Sequence, residues 1–299
     1  MKKILPITYC LPLSTDNEYL RKAMLHEAAA TGIKHIVLGE NIVAQIVKTP
    51  LFASVVQAEL SAEGLDFVDS HAPFGVAVDM NMPDTLGINS LRHKLHLQIA
   101  GDMNVKSMVI HIGNSHTCIG ESTDTQLERI YSMLEKILPV AEQCDVVVCI
   151  ENIWSELNIP ENLWKIKKHF DTPYLGFCYD SGHANLMDKA RDLKGGYARD
   201  LWAKCNAGEP RWDDQILEKL LPEMVCCHLH DNGALTDAHA RPGKGLLDWN
   251  KIVPLLKKAP RLQAIQSEVS LFRDAIGCQK LSECFNNLFN TTTGEVICE

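Results

Sequence analysis

An α/β fold of the (β/α)8 TIM-barrel class is what this sequence predicts. Three observations point there: eight apolar runs of strand length, helical periodicity between them, and an acidic or imidazole side chain closing seven consecutive runs. The runs are residues 4–9, 35–39, 65–69, 107–112, 146–151, 174–180, 225–230 and 262–268. Near-continuous apolar strands are expected where helices cover both faces of a parallel sheet, and eight strand–helix units close into a barrel more naturally than they extend an open sheet. An open doubly wound sheet would place a glycine-rich phosphate loop after its first strand, and this sequence has none there. The length of 299 residues suits one such barrel, which takes about 250, so residues 1–299 are expected to form a single domain.

The intervals carry helix signals. Between the second and third runs, Thr49-Pro50 reads as an N-cap and first helical residue before Leu51, Val55 and Leu60, with Gly64 as the stop. Between the fourth and fifth, Leu127, Ile130, Tyr131, Leu134, Ile137, Leu138 and Ala141 share one face at 3.6-residue spacing, and Thr123 and Gln126 are placed as a capping box. Before the eighth, Asp248 is placed to cap a helix through Ile252 and Leu256. No internal repeat, low-complexity tract or linker breaks the pattern, and the tail from about Thr291 is expected to fray.

Composition narrows the class. Hydrophobic residues make up 46% and charged residues 22%, enough apolar mass for a large core. The net charge of −9, with no Lys/Arg-rich run, weighs against nucleic acid as a partner, although a metal cluster supplies positive charge that a residue count misses. The eleven cysteines contain no CxxC pair, and Cys149, Cys178, Cys226 and Cys227 sit inside apolar runs, which reads as buried free thiols in a reducing cytoplasm. Met1-Lys2-Lys3 and the apolar stretch after it imitate a secretory leader, but Pro6, Thr8, Tyr9 and Pro12 interrupt it and no small-residue cleavage site follows. No run reaches the ~18 residues of a membrane span. A cytoplasmic chain with no membrane partner is expected, with homo-oligomerisation open.

The chemistry collects at the run ends, which in this fold line the active-site face. Glu40 closes the second run, His71 the third, His111 the fourth and Glu151 the fifth. Asp180, with His183 beyond it, closes the sixth, His228 and His230 the seventh, and Glu268 the eighth. Singly, each has an ordinary explanation as a backbone-satisfied histidine or a helix cap. Together they do not: the chain has 38 Asp and Glu and 12 His among 299 residues, too few to close seven consecutive runs by accident. Glu151 and Glu268 follow otherwise apolar strands, where an unpartnered charge is very costly, and a divalent cation is the simplest common partner. Mixed carboxylate and imidazole donors suit Zn²⁺, Mn²⁺, Fe²⁺ or Co²⁺ better than Ca²⁺ or Mg²⁺. In Asp180-Ser181-Gly182-His183 the glycine allows a turn that aims Asp180 and His183 at one centre. In His228-Leu229-His230 the period of two puts both histidines on one strand face. Asp237-Ala238-His239 adds a further pair ahead of the Gly-rich segment Pro242-Gly243-Lys244-Gly245.

These segments resemble the xylose isomerase-like TIM-barrel superfamily, which includes sugar phosphate isomerases and epimerases, hydroxypyruvate isomerase, inosose dehydratase and endonuclease IV. The carriers, in order, are Asp69-Ser70-His71-Ala72-Pro73-Phe74, Ile110-His111-Ile112-Gly113, Ile150-Glu151-Asn152, Cys178 to Asn185, Cys227 to Asn232, the 237–245 loop, and Ser267-Glu268. For the isomerase and epimerase members the resemblance implies one divalent ion, Zn, Mn or Co, held at Glu151, Asp180, His228 and Glu268. Glu151 and Glu268 then double as acid and base around an enediolate, and His183 binds a substrate oxygen. Endonuclease IV implies instead a three-zinc cluster at His71, His111, Glu151, Asp180, His183, His228, Asp237, His239 and Glu268. Two departures weigh against that member: His230 stands where an asparagine is expected, and His111 is not followed by a His-Pro-Gly segment.

The substrate implied is a small carbohydrate, acted on by a sugar or sugar-phosphate isomerase or epimerase. A lyase or dehydratase sharing the same proton abstraction, and a phosphodiesterase, are the alternatives. Trp154, Phe74 and Trp249 follow the motif segments and are placed to wall a pocket or to join the core. Lys244 and Arg241 are placed to bind a phosphate or carboxylate, or to stand as solvated loop charges. Glu40 is read as a substrate contact or a helix cap.

Overall fold

The computed structural model describes residues 3–13, 16–114, 118–192, 195–205 and 207–298; Met1 and Lys2, ahead of the first apolar run, lie outside the described residues. All eight runs form strands: β1 (Lys3–Tyr9), β2 (His35–Leu38), β3 (Asp66–His71), β4 (Ser107–Ile110), β5 (Val147–Glu151), β6 (Leu175–Asp180), β7 (Met224–Leu229) and β8 (Ala264–Ser267). They are parallel and in sequence order, and β1 pairs with both β8 and β2, so the sheet closes into the (β/α)8 barrel. The open-sheet alternative is thereby excluded.

The tail does not fray. Glu295–Cys298 forms β9, antiparallel to the first half of β1, with Lys3 opposite Cys298 and Pro6 opposite Glu295. Val296 and Cys298 are buried there. This alternation of buried and exposed positions is too short for a periodicity argument to have found it.

Helix boundaries shift where caps compete. The long helix is Thr123–Cys144, but its N-cap is Ser122, whose Oγ accepts from Thr125 N at 3.1 Å. Gln126 turns away from a capping role, and its side-chain Oε1 accepts from Asn81 Nδ2 at 3.0 Å. Its apolar stripe packs inward as expected, with Leu127, Ile130, Leu134, Ile137, Leu138 and Ala141 all buried. Thr49 ends the helix Glu40–Lys48 instead of opening the next, which runs Phe52–Glu63 and stops at Gly64 with φ 69°. Asp248 caps Trp249–Leu256 by accepting from Asn250 N.

The main core lies between strands and helices, as with Ile7, Phe177 and Leu134. Inside the barrel a separate cluster joins Val109, Val147, Cys149, Cys178, Val225 and Cys226. All eleven cysteines are free. No helix among the described residues is long and apolar enough to cross a membrane.

Candidate metal centre

Because the strands are parallel and in register, their C-terminal ends present side chains to one mouth. His71, Glu151 and Asp180 are the last residues of β3, β5 and β6, His228 lies in β7, and His111, His230 and Glu268 stand just beyond β4, β7 and β8. His228 Nδ1 is the point of convergence. Glu268 Oε1 lies 3.2 Å from it, Glu151 Oε1 3.3 Å and Asp180 Oδ2 3.9 Å. Around this quartet, His111 Nε2 is 2.8 Å and His71 Nε2 3.9 Å from Glu151 Oε2.

A second half of the network extends from Asp180. His230 Nε2 lies 3.1 Å from its Oδ2 and 3.7 Å from Asp237 Oδ1. His239 Nε2 meets Asp237 Oδ2 at 2.9 Å, and His183 reaches Glu151 Oε1 at 3.2 Å and Asp237 Oδ2 at 3.6 Å. The predicted facing of Asp180 with His183, and of His228 with His230, is therefore realised. All ten residues form one connected set.

The positioning groups explain the precision. Asn152 brackets the Asp180 backbone, its Nδ2 donating to Asp180 O and its Oδ1 accepting from Asp180 N, while its own carbonyl accepts from His183 Nδ1. Gln266 Nε2 donates to Glu268 Oε1 at 3.0 Å. The loop carrying Asp237 and His239 is clamped by Asp231, whose carboxylate accepts from Asn232 N, Gly243 N and Trp249 Nε1. Gly245 passes so close that a Cβ would fall 2.2 Å from Asn232 O.

Electrostatics show what the donor set requires. Burial disfavours charge on Glu151, but His228 and His111 outweigh it and hold its pKa well below the ordinary value. Asp180 is lowered against burial by His183 and His230. Burial likewise opposes charge on His228, yet Glu268 and Glu151 keep it well above the usual imidazole range. His239 rises to about 9 despite burial, through its bond to Asp237 and the Glu268 charge. Four carboxylates thus demand compensating positive charge. Glu151 Oε2, His228 Nε2, His230 Nδ1 and Asp237 Oδ1 are buried without a hydrogen-bond partner. The 2.8 Å approach of His111 to Glu151 is accordingly a contact without hydrogen-bond alignment, as expected of donors aimed at a shared cation. The residues fit a divalent ion.

The remaining sequence candidates separate. Trp154 packs against His183 with ring centroids 4.8 Å apart, and Phe74 lies 4.8 Å from the His111 ring. Both wall the mouth. Trp249 does not reach it, because Asp231 takes its indole NH and the ring faces another cavity. Arg241 and Lys244 line that same cavity, with Arg241 Nε held by Asp274 at 2.7 Å. Glu40 opens a helix, exposed, at the edge of a cavity that also reaches Glu268. Tyr197, in a helix remote from every motif, lies behind Trp154 with ring centroids 5.8 Å apart. The clamp at Asp231 carries no sequence signature, since its partners are spread over residues 232–249.

Imidazole and carboxylate donors gathered at the C-terminal mouth of a (β/α)8 barrel put this chain in the TIM-barrel class, with a candidate metal site at that mouth. The family model for the xylose isomerase-like TIM barrel matches residues 25–265, and the chain belongs to that family. An uncharacterised protein of Methanocaldococcus jannaschii, MJ1311, is 23% identical over 232 residues, 75% of this chain and 72% of its own length. A D-tagatose 3-epimerase-like protein has a similar structure, with TM-score 0.70 and 17% identity over 96% of this chain and 97% of that one. A family 2 AP endonuclease from Brucella melitensis aligns with TM-score 0.68 and 12% identity, over 95% and 99%.

Proposed function

We propose that this chain is a divalent-metal-dependent sugar or sugar-phosphate isomerase or epimerase. The ion, Zn, Mn or Co, would be held singly by Glu151, Asp180, His228 and Glu268. The observation that carries this reading is the approach of three carboxylates to His228 Nδ1 within 3.9 Å. A divalent ion held by these four residues would supply Lewis-acid chemistry toward a carbonyl substrate. Glu151 and Glu268 approach that point from β5 and the end of β8, so one takes a proton from the substrate carbon and the other returns it. Return to the neighbouring carbon isomerises, and return to the opposite face of the same carbon epimerises. His183 offers Nε2 to a substrate oxygen, with Trp154 excluding water behind it. A lyase would share the first step and differ in expelling a β leaving group.

The test is incubation of the metal-loaded protein with a panel of ketoses in deuterated water. Incorporation of deuterium next to the carbonyl is expected. Absence of exchange across the whole panel would remove the enediolate step.

One observation favours a second reading. All nine positions implied for a three-zinc phosphodiesterase join one network, with His230 added. Against it, the net charge is −9 and no Lys or Arg lines the cavity at Glu268 among the described residues. Zinc analysis giving three tightly held ions per chain, with cleavage of an abasic-site duplex, would reverse the order.

A further inference from the structure

Building on the carbohydrate reading, we propose that the substrate is neutral and unphosphorylated and carries an apolar substituent, which lies in a trough leading away from Glu268. Two cavities form the trough. The first, about 410 Å³, reaches Glu268 and His239 at its inner end and is walled by Leu11, Pro12, Val37, Ile42 and Phe272. The second, about 520 Å³, shares Leu11, Pro12, Leu271 and Phe272 with the first and continues over Met24 and Ile276. Residues 10–13 after β1, 39–42 after β2 and 268–272 after β8 thus border two adjoining, mainly apolar cavities, the first of which reaches Glu268.

Charge and exposure decide what the path accepts. Besides His239, the charged side chains lining the two cavities are Glu40, Glu268 and Glu27, and no Lys or Arg lines either among the described residues. Away from His239 at the inner end, a phosphate would face Glu27 and Glu40 with no Lys or Arg among the described residues to meet it. Arg241 and Lys244, the sequence's candidates for that role, open onto a different cavity, and Asp274 already neutralises Arg241. Phe272 is 81% exposed at the junction of the two cavities. Apolar area left in water beside a catalytic centre becomes binding energy when a hydrocarbon covers it. Continuity with Glu268 makes the substrate's own far end the occupant.

The experiment measures binding of methyl, butyl and hexyl β-D-glucopyranosides to the Mn²⁺-loaded protein by calorimetry, below micelle-forming concentrations. Affinity should rise with chain length by up to about fourfold per methylene. Phe272→Ala should flatten that rise, while Ile297→Ala, on β9 at the opposite end of the barrel, should keep it. Glucose 6-phosphate should not compete. An affinity independent of chain length, a rise preserved in Phe272→Ala, or competition by glucose 6-phosphate would each overturn the proposal. So would a dimer that Phe272→Asp dissociates, which would give the trough to a second copy of the chain. A chain-length effect with these glycosides, together with no deuterium exchange across the separate panel of ketoses, would retire the enediolate reading and leave the trough standing, so the two failures are distinguishable.

Discussion

The rings of His230 and His239 stack face to face, with centroids 3.9 Å apart and planes 10° from parallel. One histidine follows β7 and the other rides on the loop clamped by Asp231, so the stack ties that loop to the metal centre. Gly182 makes room for it, since a Cβ there would fall 1.9 Å from His230 Cε1. Gly182→Ala should push His230 off Asp180 and weaken metal affinity about 10-fold to 100-fold. Titration with Mn²⁺ or Zn²⁺ reads the effect; unchanged affinity would show that His230 does not support the site.

Glu151→Gln and Glu268→Gln should each lower turnover and solvent exchange by at least about 10²-fold while the chain stays folded. Circular dichroism checks the fold and deuterium exchange checks the chemistry. Near-normal exchange in either variant would exclude that glutamate as acid or base.

Metal binding should release protons near neutral pH, because the carboxylates hold His228, His183 and His239 protonated when no ion competes. Calorimetry in two buffers of different ionisation enthalpy measures the release. In metal-free protein the sign is fixed by His239, whose folded pKa of about 9 exceeds the ordinary 6.5. Its contribution to stability is full below about pH 6.5 and is lost as the pH rises through about 9. Thermal midpoints of the metal-free chain should fall across that window, and Asp237→Asn should reduce the slope.

Asp69 lies inside the barrel, where Thr8 Oγ1 is the one side-chain donor to it among the described residues, at 2.9 Å, and burial lifts its pKa to about 6. A carboxyl raised in this way costs nothing below its unfolded pKa of 3.8, and its penalty is complete above about pH 6. Asp69→Asn should therefore stabilise the protein at pH 7, by at most about 3 kcal/mol, with no gain near pH 4. Urea unfolding at the two pH values provides the comparison, and equal or opposite effects would contradict it.

The barrel and most of its mouth were legible because strand ends carry the chemistry and the chain runs strand by strand in spatial order. Glu151 and Asp180 fall on the last residues of their strands, so an apolar run closed by a carboxylate located each one. Features set by distant partners were not legible. Trp249 faces away because Asp231, eighteen positions earlier, takes its NH. Arg241 is neutralised by Asp274, thirty-three positions later. Ser122 outcompetes Thr123 as a cap through a one-residue difference in backbone angle, which composition does not encode. The apolar trough assembles from three loops whose residues read individually as ordinary surface.

The pairing of β9 with the start of β1 sets Lys3 beside Cys298 at the end of the barrel opposite the mouth. The ring itself closes through β1 with β8 and β2, and the β1–β9 seam is an added flap made from both extremities of the described chain, so pulling on either one strains that seam before it reaches His228 and its neighbours. Anchoring the protein to a surface by this end would leave the mouth facing solvent, with the cluster around His228 insulated from the tether by the depth of the barrel.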